Sequence, residues 1–559
     1  MDKRFGRKLA TALMIFIATA AILVAGCTQP ETTATPTPTT GEPITIVSMV
    51  SGEPESLDPA YDYESAGGEI IQNVYETLIF YEGSDITKPV GVLAKSWDIS
   101  EDGLTYTFHL QEGVKFHDGT AFNASAVKYS FDRGVIMNLD PWQAVITPLL
   151  YGGSEYMNSE QSQADIDAYL AKETVKVIDE NTVQVKLAKP YRPFLDCLAF
   201  YAASIISPSY DQANGGYKPN EQSEFMTEHM CGTGPLKFVS WDHMDKITMV
   251  KNDDYWGTPA KCDKVIVRYV EDWNTRFLAM KKGEADIIYA PFQYANDILA
   301  EPDFVLEAGD PTVTVSYIGF NQNASITPMF TDKRVRQAFI ESFDTETFVN
   351  VVNLGYGKIP NGPIPEGLPG YNPSIPKQKF DPEHAKQLLI DAGYSKSKPT
   401  SVILYYNAGN DGRKSACLML KDQIEKYDLG ISVDVQELDW PTYVKKNRDK
   451  ELPIFYLGWI ADYPSADSFI EPFCVSYGYY ADKVSYVNET IDGIYADAKW
   501  ETDQAKQTEA YTQIIEGTNE DCAYIWTAQA VEFQPMRKEL KGYWYNPMNS
   551  NLIYYTLYK

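Results

Sequence analysis

Histidine, positive charge and catalytic motifs are scarce in this sequence. Only five His occur among 559 residues, scattered without close pairs, so a His-rich metal centre is not expected. Lys and Arg number 48 against 77 Asp and Glu, and the net charge of -29 argues against a nucleic-acid partner because it repels phosphate backbones. G-x-S-x-G and H-E-x-x-H motifs are absent, as is a convincing Ser-His-Asp order. An extracellular hydrolase therefore remains an alternative only because so acidic a chain can bring two carboxylates together.

Closely spaced cysteines are missing too, which argues against a zinc site of the C-x-x-C type. Disulfides and buried free thiols are both open for the six Cys that follow Cys27. These six cysteines are Cys197, Cys231, Cys262, Cys417, Cys474 and Cys522.

Hydrophobic residues make up 44% of the chain and Tyr alone numbers 39, which is enough for a sizeable core. The length corresponds to about three or four domains at ~150 residues each.

The N-terminus predicts export. Four basic residues precede an uncharged apolar stretch, Leu9–Gly26, which ends at Cys27. This order is typical of a signal peptide (residues 1–26), and the small residues before Cys27 resemble a lipobox, at which the Cys is acylated. A transmembrane anchor and an ordinary cleaved signal are the alternatives. Residues 27–43 are rich in Thr and Pro and predict an extended lipoprotein tether. All three interpretations place the body outside the cytoplasm.

Strands and helices alternate along the body. Ile44–Val50 and Thr312–Phe320 are rich in β-branched residues and predict strands, whereas the spacing of apolar residues predicts helices over Tyr61–Phe80 and Asp332–Val349. Strand, helix and strand then follow one another in the second half, which predicts an α/β lobe with its own sheet. The late apolar segments 524–533 and 551–557 predict a return of the chain to the first lobe.

Motifs in a fixed order carry a family resemblance. Leu93–Arg133 contains SWDIS, TYTFHL and EGVKFHDGT, and GTGP follows at Gly232–Pro235. D-K-R-V-R-Q-A begins at Asp332, and D-P-E begins at Asp381. The chain closely resembles the extracellular solute-binding proteins of family 5, the peptide- and nickel-binding proteins of ABC importers, along its whole length after the N-terminal segment.

The resemblance implies an α/β fold with two lobes: a type II periplasmic-binding-protein-like fold of the large peptide-binding subclass. The first lobe would comprise residues 44–85, 205–312 and 531–559, with an inserted subdomain at 86–204, and the second lobe residues 313–530. The lobes would close on a ligand by hinge motion.

The same resemblance implies a function without catalysis or cofactor. The protein would be an extracytoplasmic substrate-binding lipoprotein that captures peptides and delivers them to the permease and ATPase of an ABC importer. It would be a monomer held by the lipid on Cys27 at the outer face of the cytoplasmic membrane, on a cell surface or in a periplasm. Within the family, an oligosaccharide, haem or a nickel or other metal chelate is the alternative ligand. A surface peptide sensor is the alternative of another class.

Burying a peptide amine requires a carboxylate. In peptide-binding relatives the Asp of a G-W-x-x-D element pairs with the ligand's α-amino group, and Asp462 matches that Asp. Asp462 as a loop-capping acid is the alternative interpretation. Nickel-type relatives lack this Asp, which argues against a nickel ligand. Trp459 of the same element would stack on the ligand or pack against the sheet.

The remaining candidates are less defined. Arg413 and Arg448 are nearby cations for the ligand carboxylate, but each also fits a solvated helix position. Tyr456 stands where one relative has the carboxylate-binding residue, and no Arg is present at Asn407–Gly409, where another has it. The cleft-lining candidates are Ser51, Gly52 and Glu53 in the first loop, Tyr317 on a strand near the hinge, and Tyr405, Tyr406 and Asn407 at a strand end.

Overall fold

The structure is a computed structural model that describes residues 43–152 and 159–559. The predicted signal peptide, Cys27 and all of the predicted tether except Pro43 lie outside the described residues. No helix in the described part is long and apolar enough to cross a membrane.

The strands of the described part are numbered in chain order. They are β1 (Thr45–Val50), β2 (Ile79–Tyr81), β3 (Pro89–Gly91), β4 (Ala94–Ile99), β5 (Thr105–Leu110), β6 (Val175–Asp179), β7 (Thr182–Lys186), β8 (Leu236–Asp242), β9 (Lys246–Lys251), β10 (Lys264–Tyr269), β11 (Ile287–Ile288), β12 (Phe304–Phe320), β13 (Thr400–Asn407), β14 (Ile431–Leu438), β15 (Ile454–Ile460) and β16 (Tyr524–Arg537).

The helices of the described part are numbered in the same way. They are α1 (Ser65–Val74), α2 (Ala124–Met137), α3 (Asp140–Val145), α4 (Thr147–Tyr151), α5 (Gln163–Ala171), α6 (Phe194–Cys197), α7 (Pro208–Ala213), α8 (Glu224–Glu228), α9 (Trp273–Lys282), α10 (Ala295–Leu299), α11 (Lys333–Glu341), α12 (Thr345–Thr347), α13 (Pro382–Asp391), α14 (Asp411–Lys426), α15 (Trp440–Arg448), α16 (Asp467–Cys474), α17 (Tyr479–Lys483), α18 (Glu489–Ala498) and α19 (Gln504–Glu520).

One mixed sheet runs through both lobes. Its strand order, within the described residues, is β14-β13-β15-β12-β16-β11-β1-β10-β9-β8. The first lobe contributes β1 and β8–β11, and the second contributes β13–β15. The long strands β12 and β16 pair antiparallel from Phe304↔Arg537 to Gly319↔Tyr524. At the first-lobe end β16 also pairs with β11. Two long strands therefore cross between the lobes, as in a hinge.

The first lobe has a core that also takes in a smaller sheet. Strands β4, β5, β7 and β6 form this antiparallel sheet, all from residues 94–186. Its inward side chains, such as Phe108 and Val185, join the same buried cluster as Ile46 of β1 and Val265 of β10. The predicted subdomain and lobe boundaries remain predictions.

The second lobe buries both faces of its part of the sheet. Side chains alternate along each strand. Tyr317 therefore joins one core cluster and its neighbour Ile318 the other. Helices cover both faces of this part of the sheet, and the crossing strands β12 and β16 contribute side chains to both core clusters. The described part thus has the two-lobed type II fold that the resemblance implied.

Two helix predictions need correction. The helix predicted over 61–80 is confined to α1, because the Glu64 side chain caps its first turn and Tyr75 adopts an extended conformation at its end. The helix predicted over 332–349 ends at Glu341, and Asp344 caps a second, short helical segment. Segment 551–557 contributes buried Leu552, Tyr554 and Leu557 to the first lobe's core but forms no named strand of the described part.

Candidate ligand-binding site

A cavity of about 440 Å³ lies between the lobes. This volume is in the range of small-ligand sites, which span about 300–1,000 Å³. The wall is made from both lobes, from the crossing strand β16 and from the C-terminal segment. First-lobe wall residues include Ser51, Gly52, Glu69, Tyr269 and Tyr289, second-lobe ones include Asn353, Asn407, Arg413, Trp440 and Tyr456, and β16 and the C-terminal segment add Ala530, Glu532, Gln534, Tyr543 and Asn549.

Direct contacts between the lobes show that this conformation is closed. Trp440 of the second lobe donates its indole N–H to Glu64 of the first at 3.0 Å. The Tyr63 hydroxyl donates to Asp462 at 2.9 Å, and the Tyr294 hydroxyl donates to Asp411 at 2.8 Å. A ligand in the cavity would therefore be enclosed by both lobes.

Among the described residues that line the cavity, Arg413 is the one cation, and no acidic side chain pairs with it. Its Nη1 donates to Oδ1 of Asn407 at 2.7 Å. The guanidinium lies over the rings of Trp440 and Tyr456, each with its centroid 5.9 Å away. Neutral neighbours thus orient the guanidinium, and its charge is left for a ligand.

Local structure places Arg413 in the first turn of α14. Asn410 caps this helix by accepting the backbone N–H of Arg413 at 3.0 Å. The preceding turn needs glycine at position 409, where φ is +73° and a Cβ would come within 3.0 Å of Ser51. The N-terminus of a helix carries partial positive charge, so it adds to the attraction of Arg413 for an anion.

Arg448 has a different environment. It pairs with the Glu55 carboxylate through two nitrogens, one at 2.9 Å, and its Nε lies 3.3 Å from Asp140. It also donates to the Tyr61 hydroxyl at 2.7 Å. All three partners belong to the first lobe, so Arg448 joins the lobes through residues that do not line the cavity.

Asp462 lies behind the cavity wall rather than on it. Its carboxylate accepts the Tyr63 hydroxyl, and its backbone N–H donates to Ser468 at 2.9 Å. Burial raises the pKa of Asp462 well above its ordinary value, although the Tyr63 hydrogen bond opposes this shift. No Lys, Arg or His pairs with Asp462 among the described residues.

Two further carboxylates, Asp62 and Glu64, flank Tyr63 in the chain, and the Tyr63 hydroxyl donates to Asp462. Burial raises the pKa of Asp62, of Glu64 and of the Tyr201 hydroxyl, and all three acids raise the pKa of Tyr201 further. No cation of the described residues forms an ion pair with these acids. Trp440 connects this acidic cluster (Asp62, Glu64 and Asp462) to the cavity, because it lines the wall and donates to Glu64.

Two carboxylates on the cavity wall were not predicted. Glu69 of α1 is 3% exposed and accepts hydrogen bonds from the Tyr554 hydroxyl and from Asn551 at 3.0 Å. Burial raises its pKa to about 7. Glu532 of β16 accepts the Tyr543 hydroxyl at 2.7 Å, and its pKa is raised, chiefly by burial.

Both glutamates left a signal in the sequence. Glu69 directly precedes Ile70 and Ile71 in a segment whose apolar side chains face the core, and Glu532 interrupts the apolar run Tyr524–Phe533. A charge inside an apolar element marks a buried polar site. Trp440, Tyr289 and Asn353 had no comparable signal, because only tertiary contacts bring them to the wall.

The structure brings five of the twelve predicted site residues to the cavity. Ser51, Gly52, Asn407, Arg413 and Tyr456 line it. Gly52 is packed so closely that a Cβ there would lie 3.0 Å from Cβ of Trp440. The Tyr456 hydroxyl hydrogen-bonds to Thr527 at 2.7 Å, which holds its ring beside Arg413.

The other seven predicted site residues do not line the cavity. Asp462 and Arg448 are described above, and Tyr406 is buried in a core cluster of the second lobe, where its hydroxyl donates to Glu437 at 2.8 Å. Glu53 accepts hydrogen bonds from Trp241 and from the backbone of Met244, away from the wall. Tyr317 is fully buried among aromatic rings of the second lobe's core. Trp459 donates its indole N–H to the backbone of Ser468, and Tyr405 packs against the same core.

The described residues contain no group of three or more His, Cys, Asp or Glu arranged to hold a metal ion. The six Cys after Cys27 are buried free thiols.

Comparisons with known proteins identify the family. The chain is 28% identical over 562 residues to heme-binding protein A of Haemophilus influenzae, covering 96% of this chain and 97% of the relative. It is 28% identical over 532 residues to the dipeptide-binding protein of Escherichia coli, covering 91% and 93%. The structure of the periplasmic binding protein DppA from Helicobacter pylori with the peptide STSA superposes with a TM-score of 0.77 at 25% identity, covering 92% of this chain and 98% of that one.

The family model for bacterial extracellular solute-binding proteins, family 5 (middle region), matches residues 88–481. The chain therefore belongs to the family 5 extracellular solute-binding proteins.

Proposed function

We propose that this protein is the substrate-binding component of an ABC importer and captures short peptides between its two lobes. The observation that carries the proposal is Arg413: a guanidinium on the wall of a closed interlobe cavity, with no acidic partner among the described residues. Arg413 is half-buried, and a bound ligand that covers it without supplying a counter-charge would make its charge costly. A ligand carboxylate would supply that counter-charge, and the partial positive charge at the N-terminus of α14 would attract the same carboxylate.

We assign the peptide amine to Asp462. Its carboxylate has no cationic partner among the described residues and is covered by the Tyr63 hydroxyl of the opposite lobe. In the liganded form the ammonium group would take the place of that hydroxyl. An ammonium would also offset the negative charge of the neighbouring Asp62 and Glu64.

Polar side chains near Arg413 suit a peptide backbone. Thr314 and Ser316 of β12 and Ser51 after β1 line the cavity, and their hydroxyls can donate to and accept from the amide groups of a short peptide. The heme-binding relative raises haem as an alternative ligand, but no His of the described residues lines the cavity.

Mass spectrometry of the ligand released from denatured protein tests the ligand class. We expect short peptides with free termini. Titration calorimetry on refolded, ligand-free protein would then compare trialanine with its N-acetyl and C-terminal amide forms, and we expect each modification to weaken binding by about tenfold or more. Recovery of a sugar or a metal chelate, or indifference to both modifications, contradicts the proposal.

Asp462→Asn tests the assignment of the amine. We expect this variant to bind trialanine and N-acetyl-trialanine alike, because the neutral amide no longer favours an ammonium. Glu53→Gln is the matched control, since Glu53 directly follows the lining residues Ser51 and Gly52 but does not itself line the cavity. The assignment predicts that the preference for the free amine is lost in Asp462→Asn and kept in Glu53→Gln. The opposite result, a preference that survives in Asp462→Asn and disappears in Glu53→Gln, would contradict it.

We further propose that the protein is exported and anchored by a lipid on Cys27, and that it delivers peptide to a permease rather than to a sensor. The basic, apolar and Cys-terminated N-terminus supports the first part. Metabolic labelling with a fatty acid should be lost in Cys27→Ser. Uptake of a labelled peptide should be lost on deletion of the gene, whereas a sensor would leave uptake unchanged.

A further inference from the structure

The charges on the cavity wall are unequal. Among the described lining residues, Glu69 and Glu532 are acidic and Arg413 is basic. Neither glutamate has a cation within ion-pairing distance among the described residues. Their hydrogen-bond partners are the neutral groups of Tyr554, Asn551 and Tyr543.

A zwitterionic peptide does not correct this imbalance. Its carboxylate would pair with Arg413, and its amine would pair with Asp462 behind the wall. Glu69 and Glu532 would then be enclosed by the ligand without a counter-charge. Removing a carboxylate from water costs free energy unless a cation and hydrogen-bond donors replace the water.

A basic side chain would match the charge of this wall. Lys and Arg side chains carry a positive charge and N–H donors, and carboxylates accept such donors.

Glu532 is the better placed of the two glutamates. A single hydroxyl, that of Tyr543, donates to one of its two oxygens. The other oxygen accepts no hydrogen bond from the described residues and is left for a cation. Burial is the main cause that raises the pKa of Glu532, and the exposed Asp310 and Glu307 of β12 add only to that shift.

We propose that the cavity selects peptides that carry a basic side chain, which Glu532 binds and Glu69 favours through its charge. The proposal rests on the proposed function, since it specifies which peptides that same cavity takes. It assigns to the two glutamates a role in choosing the ligand that is distinct from the capture of its termini.

Calorimetry with matched tripeptides tests the proposal. Each position of trialanine is replaced in turn by Lys and by Nε-acetyl-Lys, which keeps the same aliphatic chain, adds an acetyl group and removes the charge. We expect Lys to bind at least about tenfold more tightly than acetyl-Lys at one position. In Glu532→Gln this ratio should fall to within about twofold, and in Glu69→Gln it should fall part of the way.

Glu307→Gln is the matched control, because it removes a nearby exposed charge and should leave most of the ratio intact. If neutral tripeptides bind but Lys has no advantage at any position, the preference for basic peptides is wrong and the proposed function stands. The preference is equally wrong if it persists in Glu532→Gln. If none of the peptides binds, the proposed function fails and this inference fails with it.

Discussion

Arg413 and Arg448 looked alike in the sequence but lie in opposite environments. Arg448 ends α15, where the helix dipole favours a cation, and pairs with Glu55 and Asp140 of the opposite lobe. Arg413 is in the first turn of α14, where the dipole disfavours a cation, and has only neutral partners in the described structure. A paired arginine stabilises the closed form, whereas an unpaired arginine on a cavity wall is set up for an anionic ligand.

Removing the unpaired arginine should have the largest effect. We expect Arg413→Ala to weaken peptide binding at least about 30-fold, about 2 kcal/mol, because the ligand carboxylate loses its counter-charge. In this variant a peptide and its C-terminal amide should bind alike in calorimetry. A large difference between the free acid and the amide in Arg413→Ala would place the carboxylate elsewhere.

Giving Arg413 a carboxylate partner should make it resemble Arg448. Oδ1 of Asn407 already lies 2.7 Å from Nη1 of Arg413, so Asn407→Asp creates an ion pair without moving either residue. We expect peptide affinity to fall about tenfold while thermal stability stays equal or rises. Asn407→Ala is the control, since it removes the amide without adding a charge. If Asn407→Asp binds peptide as tightly as the parent protein, the charge of Arg413 is not what the ligand uses.

Removing the paired arginine should change shape more than affinity. In Arg448→Ala the lobes lose an ion pair whose side chains are 22% and 19% exposed, which we expect to cost about 1–2 kcal/mol of closure or unfolding free energy. Small-angle scattering should show a larger radius of gyration without ligand, and affinity should fall only a few-fold. A loss of affinity as large as that of Arg413→Ala, at unchanged radius, would make Arg448 a ligand-binding residue.

The smallest effect is expected at Tyr61. Tyr61→Phe keeps the ring, whose centroid lies 5.2 Å from the guanidinium of Arg448, but removes the hydroxyl that accepts its hydrogen bond. We expect thermal unfolding to show a loss of about 1 kcal/mol and calorimetry to show peptide affinity within about twofold of the parent. Tyr405→Phe serves as the control for removal of a tyrosine hydroxyl outside this contact. A tenfold loss of affinity in Tyr61→Phe would link the interlobe contact to the cavity.

The sequence alone determined the family and the two-lobed fold. Local signals are sufficient for these, because long motifs and alternating apolar patterns depend on neighbours in the chain. Ser51, Gly52 and Tyr456 could be placed near the cleft by the resemblance to the family. Asn407 could be placed there because it ends a strand, and Arg413 because it is close to Asn407 in the chain. Which of Arg413 and Arg448 is free of acids could not be predicted, since Glu55 and Asp140 are more than 300 residues from Arg448.

Only the tertiary structure decided where the charges meet. It placed Glu69 and Glu532, 463 positions apart in the chain, on one wall, and it put Asp462 behind Tyr63 rather than on that wall. The physical reason is that a cleft between lobes is assembled from side chains distant in sequence. Whether a charge is paired there depends on which distant group comes within about 4 Å of it.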